Sequence, residues 1–439
     1  MTRLLIFAMV ILCALADCAR AQTQPRPNIV LILADDLGYG DLASYGHPTI
    51  RTPRLDRLAQ QGVRLTSYYS GSALCTPARA ALLTGRYGAR VGLPNVLGPE
   101  SKLGLRRGEV TLASALRGAG YQTMAIGKWH LGHASPEQLP TGQGFDAWFG
   151  LPYSNDMMPP FVQTSVPLRL YRNGAPLEGD VDQDPLTERY TEEATAFVAG
   201  AAAKGPFFLY LAHSMPHLPI HASARFRGRS PAGLYGDVIE MLDWSTGEIV
   251  DALERAGVSD RTIVVFVSDN GPWIELPARM LQAGNAAWHV GSSGLLRGSK
   301  NTTFEGGPRV PAVVRWPGVA PASRVSDGMA SAMDLFATLA AAGGASLPRD
   351  LALDGHDLRA FLAGSAASPT HEFAYIAGPR VEAVRVDEWK LRIAPGAEPE
   401  LYHLALDPSE RYNRANSEPA TVERLRRRIE ALQASLPKP

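Results

Sequence analysis

Short runs of apolar, often β-branched residues alternate with helical patterns along the first three quarters of the chain. Five runs predict buried strands, at 28–34, 122–127, 207–212, 262–268 and 310–316. Between them, Leu55 and Leu58 share one face of a helix that opens at Pro53, and a second, short helix covers 111–116. An apolar stripe at helical spacing runs from Val238 to Leu253. This alternation predicts an α/β fold, with a large mixed, mostly parallel sheet flanked by helices.

The pattern changes after about residue 345. Short strands are predicted at 373–376, 383–386 and 390–393, and a charged helix at 419–436. They indicate a smaller C-terminal α+β domain, formed by a short antiparallel sheet and a helix. We therefore expect a main domain over 22–345 and a C-terminal subdomain over 346–439, preceded by the segment 1–21.

Segment 1–21 has the pattern of an export signal. Arg3 gives the positive start, 4–15 an apolar run, and Ala21 ends a small-x-small cleavage site. The run is too short to span a bilayer, and no later run is long and apolar enough for a transmembrane helix. We expect an exported protein, periplasmic or secreted, that does not span the membrane. Cleavage after Ala21 would remove Cys13 and Cys18 and leave Cys75 as the single cysteine.

Charge is balanced over the whole chain. The 439 residues include 43 basic and 43 acidic side chains, with 45% hydrophobic residues to build a large core. This balance gives no support to a nucleic-acid partner, and none is expected. Only six of the basic residues are lysines. A lysine at a strand end or in a loop, such as Lys128 or Lys300, is therefore less easily explained as an ordinary surface charge.

Polar side chains follow four of the predicted strands, where ligands gather in an open α/β sheet. They are Asp35 and Asp36, Lys128 and His130, His213 and His217, and Asp269 and Asn270. Two carboxylates 4 Å apart repel by roughly 4 kcal/mol at an effective dielectric constant of 20. If the three carboxylates meet, a bound cation is the simplest way to keep them ionised. Carboxylate and amide oxygens favour Ca²⁺, or Mg²⁺, over zinc.

A set of motifs in fixed order covers nearly the whole mature chain. It includes ADDLGYGD (34–41), CTPARAALLTGR (75–86), GKWHLG (127–132), GFDAWFGLPYSND (144–156), FFLYLAHSMPHLPI (207–220), SDNG (268–271), LRGSKNTTFEGG (296–307) and ELYHLALDP (400–408). The set resembles the formylglycine-dependent sulfatases of the alkaline phosphatase superfamily, and C-x-P-x-R followed by T-G-R is its most specific part. The loop around LPYSND is most similar to the arylsulfatase A branch.

This resemblance implies hydrolysis of a sulfate ester, with the main domain as the catalytic domain. In such enzymes a formylglycine-generating enzyme oxidises the motif cysteine, here Cys75, to an aldehyde that hydrates to a diol. The diol attacks sulfur and a covalent sulfate intermediate follows. The resemblance also implies a calcium ion (magnesium is possible) whose ligands are Asp35, Asp36, residue 75, Asp269 and Asn270.

The other roles are implied in the same way. Arg79 would hold the hydrated aldehyde, and Lys128 and Lys300 would bind sulfate oxygens. His130 would take the proton of the second diol hydroxyl. His217 would bind the substrate and, with Lys300, help to protonate the leaving oxygen.

Further residues are expected around the substrate. Ser154 matches a serine that contacts substrate in the arylsulfatase A branch. For His213 we favour a lining or supporting role over direct chemistry, and His289 could shape the pocket together with Trp273 and Trp288.

Two other functions stay open at this point. One is a phosphonate or phosphate monoester hydrolase with the same cysteine motif. The other is a calcium-binding pseudo-enzyme that recognises sulfated ligands without cleaving them, if Cys75 stays unmodified. The sequence does not specify whether the sulfate ester is that of an aryl group, a sugar, a steroid or a lipid.

Overall fold

The computed structural model describes residues 26–437, so the predicted signal segment 1–21 lies outside the described residues. Sixteen strands occur in this part of the chain. They are β1 (Asn28–Ala34), β2 (Val63–Leu65), β3 (Tyr68–Tyr69), β4 (Gln122–Gly127), β5 (Ala147–Gly150), β6 (Arg169–Arg172), β7 (Ala175–Gly179), β8 (Phe207–Ala212), β9 (Thr262–Ser268), β10 (Ala312–Arg315), β11 (Arg324–Ser326), β12 (Ala330–Ser331), β13 (Glu372–Ala377), β14 (Arg380–Val386), β15 (Trp389–Arg392) and β16 (Glu400–His403).

Eight α-helices accompany these strands in the described chain. They are α1 (Pro53–Gln60), α2 (Cys75–Thr84), α3 (Leu112–Gly118), α4 (Leu186–Ala201), α5 (Gly233–Arg255), α6 (Ala332–Ala342), α7 (Arg359–Leu362) and α8 (Pro419–Ser435). Within residues 26–437, no helix is both long enough and apolar enough to cross a membrane.

Ten strands form one mixed sheet in the order β11-β2-β10-β9-β1-β8-β4-β5-β6-β7. The central strands β9, β1, β8 and β4 are parallel, whereas β10 and the outer strands β6 and β7 run antiparallel to their neighbours. All seven residues of β1 are buried, which is why its sequence is a continuous apolar run. The predicted α/β fold with a large mixed sheet is confirmed.

Helices cover both faces of this sheet. Successive residues of a strand point to opposite faces, so Leu31 of β1 packs into one hydrophobic core and Val30 into another. Helices α2, α3 and α6 contribute to the first core, and α1, α4 and α5 to the second. The sheet therefore lies between two helical layers, which pack against its two faces.

The C-terminal part is a four-stranded antiparallel sheet, β13-β14-β15-β16, with α8 packed on it through Leu425 and Ile429. This agrees with the predicted small sheet and final helix. One predicted strand is shorter than expected: 310–316 is reduced to β10. Pro311 has no N–H for the ladder, and the N–H of Val310 bonds to Tyr68 O instead.

Candidate active site

The ends of the central strands bring four of the predicted metal ligands together. Asp35 and Asp36 follow β1, and Asp269 and Asn270 follow the neighbouring strand β9. The backbone N–H of Asp36 donates to Asp269 Oδ1 at 3.1 Å, and Asn270 Nδ2 donates to Asp36 Oδ1 at 2.6 Å. All four side chains are buried. The parallel pairing of two apolar strands thus creates a buried cluster of oxygen atoms.

Cys75 is the first residue of α2 and lies beside this cluster. Its side chain is a free thiol and is 1% exposed. Sγ lies 3.8 Å from Asp35 Oδ1 and 3.3 Å from Lys300 Nζ. The start of a helix carries partial positive charge and unpaired N–H groups, so an anion is stabilised at this position.

Two buried lysines neutralise two of the carboxylates. Lys128 Nζ lies 2.6 Å from Asp35 Oδ2, and Lys300 Nζ lies 2.8 and 2.9 Å from the two oxygens of Asp36. Burial by itself would lower the pKa of Lys300, but the nearby acidic groups, Asp36 foremost, together raise it. The Lys300 ammonium therefore stays charged although it is buried.

Arg79 fixes the third carboxylate from one helical turn beyond Cys75. Its Nε and Nη2 atoms lie 3.0 and 2.8 Å from Asp269 Oδ2, and Nη1 donates to Lys128 O at 2.8 Å. Burial alone would raise the pKa of Asp269, but Arg79 and the two lysines lower it. For Asp35, burial dominates and raises the pKa to about 7. Burial thus opposes ionisation of Asp35, and a further cation beside the cluster would favour it.

The two histidines differ in how their ring nitrogens are occupied. His130 Nε2 bonds to Leu97 O at 2.8 Å, and its Nδ1 has no partner in the described chain. His217 Nδ1 bonds to Leu218 O at 2.5 Å, and its Nε2 lies 3.4 Å from Ser154 Oγ. Burial, followed by the nearby lysine charges, lowers the pKa of both rings well below the usual value. Both imidazoles are therefore neutral at pH 7 and can accept a proton.

A cavity of about 260 Å³ opens over Cys75. The predicted residues that line it are Cys75, His130, Ser154, His217 and Lys300. Arg79 and Lys128 are fully buried beneath it, where they contact the carboxylates. The site residues expected from the sequence thus converge, with some at the cavity surface and some below it.

The remaining sequence candidates differ in position. Trp273 lines the cavity, whereas Trp288 is 78% exposed and neither it nor His289 is among the lining residues. His213 is buried away from the cavity, with Nε2 3.5 Å from Ser245 Oγ. The position of His213 agrees with a supporting role rather than direct contact with a substrate.

The oxygen cluster fits a hard divalent cation such as Ca²⁺. Ligand atoms of Asp35, Asp36, Cys75 and His217 all lie within 4.8 Å of one another. Asn270 Oδ1 is buried and accepts no hydrogen bond from the described residues. A buried oxygen without a donor is energetically costly, and a metal ion would satisfy it. Carboxylates combined with an amide oxygen are a calcium or magnesium donor set.

The cavity wall also contains residues that the sequence pattern did not single out. Asp156, Arg279 and Asn301 are the polar ones among them, and Asn301 directly follows Lys300. Asp156 ends the quoted segment LPYSND, two residues after Ser154, but Arg279 lies in a long loop without periodicity. Their side chains meet only through the packing of these two loops.

Comparison with known proteins assigns the family. The Sulfatase family profile matches residues 27–345. Arylsulfatase A of Bos taurus is 41% identical, over 92% of this chain and 86% of the relative, and N-acetylgalactosamine-6-sulfatase of Canis lupus familiaris is 36% identical, over 92% and 84%. The crystal structure of the PsFucS1 sulfatase from Pseudoalteromonas sp. superimposes with a TM-score of 0.82 at 29% identity, over 95% of this chain and 92% of that one.

The chain belongs to the sulfatase family. Within the family it lies in the arylsulfatase A-like branch, and it is a sulfuric ester hydrolase.

Proposed function

We propose that the protein hydrolyses sulfate esters with a formylglycine made from Cys75, and that Asp35, Asp36, Asp269 and Asn270 hold a calcium ion beside it. The observation that carries this proposal is the position of Cys75 Sγ on the cavity wall, 3.3 Å from Lys300 Nζ and 3.8 Å from Asp35 Oδ1. Calcium, when bound, would offset the carboxylate charges and polarise a sulfate oxygen.

The properties of the unmodified thiol support the modification. Burial raises the pKa of Cys75 to about 12, although Lys128 and Lys300 oppose the rise. At neutral pH the group is therefore a thiol rather than a thiolate, and a thiol is a weak nucleophile. Hydrated formylglycine places two hydroxyl groups at the same point, so one can attack sulfur and the other can later lose its proton.

The surrounding side chains suit the steps of this reaction. Lys128 and Lys300 offset the charge that develops on the sulfate oxygens. His130 Nδ1 has a free lone pair and takes the proton of the second hydroxyl of residue 75. An anionic sulfate beside His217 raises the pKa of its ring, so that it gains a proton on Nε2 and, with Lys300, can transfer one to the leaving oxygen.

Two conditions outside the folded chain belong to the proposal. A formylglycine-generating enzyme is needed as a maturation partner, because no group of the site oxidises a thiol. Export through segment 1–21 would deliver the enzyme to the periplasm or the medium. Sulfatase activity confined to the cytoplasmic fraction of a producing cell would contradict the export.

Peptide mass spectrometry tests the central step. Trypsin releases residues 65–79, and the peptide from protein made together with a formylglycine-generating enzyme should have one oxygen in place of the sulfur and two hydrogens of Cys75. Hydrolysis of 4-nitrophenyl sulfate should follow the modified fraction, with Cys75→Ala as the inactive control. Full activity with an unmodified peptide would refute the proposal. A modified protein that cleaves only phosphate or phosphonate esters, or only binds sulfated ligands, would favour the corresponding alternative function.

A further inference from the structure

Asp156 is a buried carboxylate whose hydrogen-bonding capacity is unused. The residue is 5% exposed and lines the cavity that contains Cys75. No hydrogen bond from any residue of 26–437 reaches its carboxylate, and the guanidinium of Arg279, with Nη1 3.6 Å from Oδ2, is its nearest cation. Its oxygens face the cavity, where either water or a ligand has to supply the donors. Donors supplied by a ligand would complete this site.

Arg279 is held beside Asp156 by contacts of its own. Nη1 donates to Phe161 O at 3.1 Å, and the guanidinium lies 5.6 Å from the ring centre of Trp273. The side chain is 44% exposed, so its remaining N–H groups are accessible. Carboxylate and guanidinium together offer an acceptor beside a planar set of donors. A ligand hydroxyl can donate to the first and accept from the second.

The pair adjoins the groups proposed to bind the sulfate. Ser154, two residues before Asp156, accepts a hydrogen bond from Lys128 at 3.1 Å and lies 3.4 Å from His217 Nε2. Asp156 lines the same cavity as Ser154 and His217, so a ligand held there by its sulfate can present a hydroxyl to Asp156. Trp273, which is 8% exposed, adds an apolar wall against which a sugar ring can pack. Simple aryl and steroid sulfates have no hydroxyl at that place.

We propose that Asp156 and Arg279 form a subsite for sugar hydroxyls, so that the substrate is a sulfated carbohydrate. The inference rests on the proposed function of the Cys75 site. It also favours a neutral sugar at this position, because the carboxylate of a uronic acid would face that of Asp156.

Kinetics with matched substrates test the subsite. The enzyme, made together with a formylglycine-generating enzyme, is assayed with 4-nitrophenyl sulfate, with galactose monosulfates esterified at O3, O4 or O6, and with deoxy analogues of the best of these. For the sugar sulfate, Asp156→Asn and Asp156→Ala should lower kcat/KM by about 10- to 100-fold, as for the loss of a hydrogen bond to a charged group. The loss should be at least about tenfold greater than the loss for 4-nitrophenyl sulfate. Asp350→Asn, on the exposed surface, is the matched control.

The deoxy analogues separate binding from structural damage. Removal of the hydroxyl that contacts Asp156 should lower kcat/KM in the wild-type enzyme and have little further effect in the Asp156 variants, since both changes remove the same contact. Equal losses for sugar and aryl substrates, or a wild-type enzyme indifferent to every deoxy analogue, would overturn the subsite. The comparison of deoxy analogues uses only the wild-type enzyme, so misfolding of a variant cannot affect it. A wild-type enzyme that cleaves neither class of sulfate would instead overturn the proposed function, and the subsite with it.

Discussion

Lys390 is a buried cation that joins the C-terminal sheet to the active-site loop. Its Nζ lies 3.0 Å from Glu305 Oε1 and 2.8 Å from Glu410 Oε1, and all three side chains are fully buried. Glu305 is five residues beyond Lys300 in the same loop. The change Lys390→Met keeps an unbranched side chain of similar length and removes the charge, so it isolates the contribution of the ion pairs.

The loss of unfolding free energy in Lys390→Met depends on which hydrogen bonds and ion pairs each carboxylate keeps. Glu305 would keep the hydroxyl of Tyr69 at 2.6 Å, the hydroxyl of Tyr375, and Arg309 at 3.3 Å. Glu410 would keep a single hydrogen bond among the described residues, from the Glu305 N–H at 2.7 Å. Removal of one partner from a buried ion pair costs about 3–5 kcal/mol, because a charge is left uncompensated. We expect this loss in the free energy of unfolding of Lys390→Met at about pH 8. Additional Glu410→Gln should restore part of it.

The pH dependence of the stability of Lys390→Met shows whether the carboxylate of Glu410 has been left unpaired. Burial raises the pKa of Glu410, and loss of the Lys390 ammonium, which opposes that rise, would raise it further. A carboxyl group whose pKa is higher in the folded than in the unfolded protein binds its proton first in the folded state. The deficit of the variant should therefore shrink as the pH falls from about 8 toward the ordinary glutamate pKa of about 4.3.

Urea unfolding followed by tryptophan fluorescence, at about pH 8 and about pH 5.5, measures both effects. The exposed Lys204→Met is the control and should stay within about 0.5 kcal/mol of wild type. A wild-type midpoint for Lys390→Met at the higher pH would refute the reasoning. So would an equal loss at both pH values, which would indicate a packing defect instead of an unpaired charge.

Three further changes test the catalytic assignments. Cys75→Ser should release about one equivalent of alcohol from an aryl sulfate and then stall, because the sulfate ester of the serine has no second hydroxyl for His130 to deprotonate. Intact-protein mass spectrometry detects the sulfated protein, and sustained turnover would contradict the diol mechanism. His217→Ala should lower kcat for 4-nitrophenyl sulfate more than His213→Ala does, since only the first of these residues lines the cavity; the opposite order would show the wrong histidine was assigned. Added calcium should raise the melting temperature of chelator-treated protein, and less so in Asn270→Ala; scanning fluorimetry without any calcium effect would argue against the metal site.

The elements that carry the site could be predicted because burial constrains every position in them. Strands β1, β8 and β9 are buried throughout and have the predicted bounds. Strands β5 to β7 escaped prediction, since they are short and lie toward one edge of the sheet, where β7 is mostly exposed. Helix α4 also has no clear apolar stripe, because alanine and threonine share its buried face with few large residues. Periodicity is visible only where one face must be consistently apolar.

The site residues found from the sequence lie next to predictable strand ends or within specific motifs. The residues that were missed form pairs with partners far away in the sequence. Glu305 and Lys390 are 85 positions apart, and Asp156 meets Arg279 only where two loops pack together. No local pattern encodes such a pairing, because an acid or a base alone is compatible with an exposed surface.

The scarcity of lysine indicates a third buried position besides Lys128 and Lys300. Three of the six lysines, Lys128, Lys300 and Lys390, are buried and paired with buried carboxylates, while Lys102 and Lys204 are exposed. In a chain that prefers arginine for its surface charges, a lysine is retained where a compact ammonium must fit between oxygen atoms. Lys390 meets this condition as Lys128 and Lys300 do. Its partners could not be named, since they depend on the packing of the C-terminal sheet against the active-site loop.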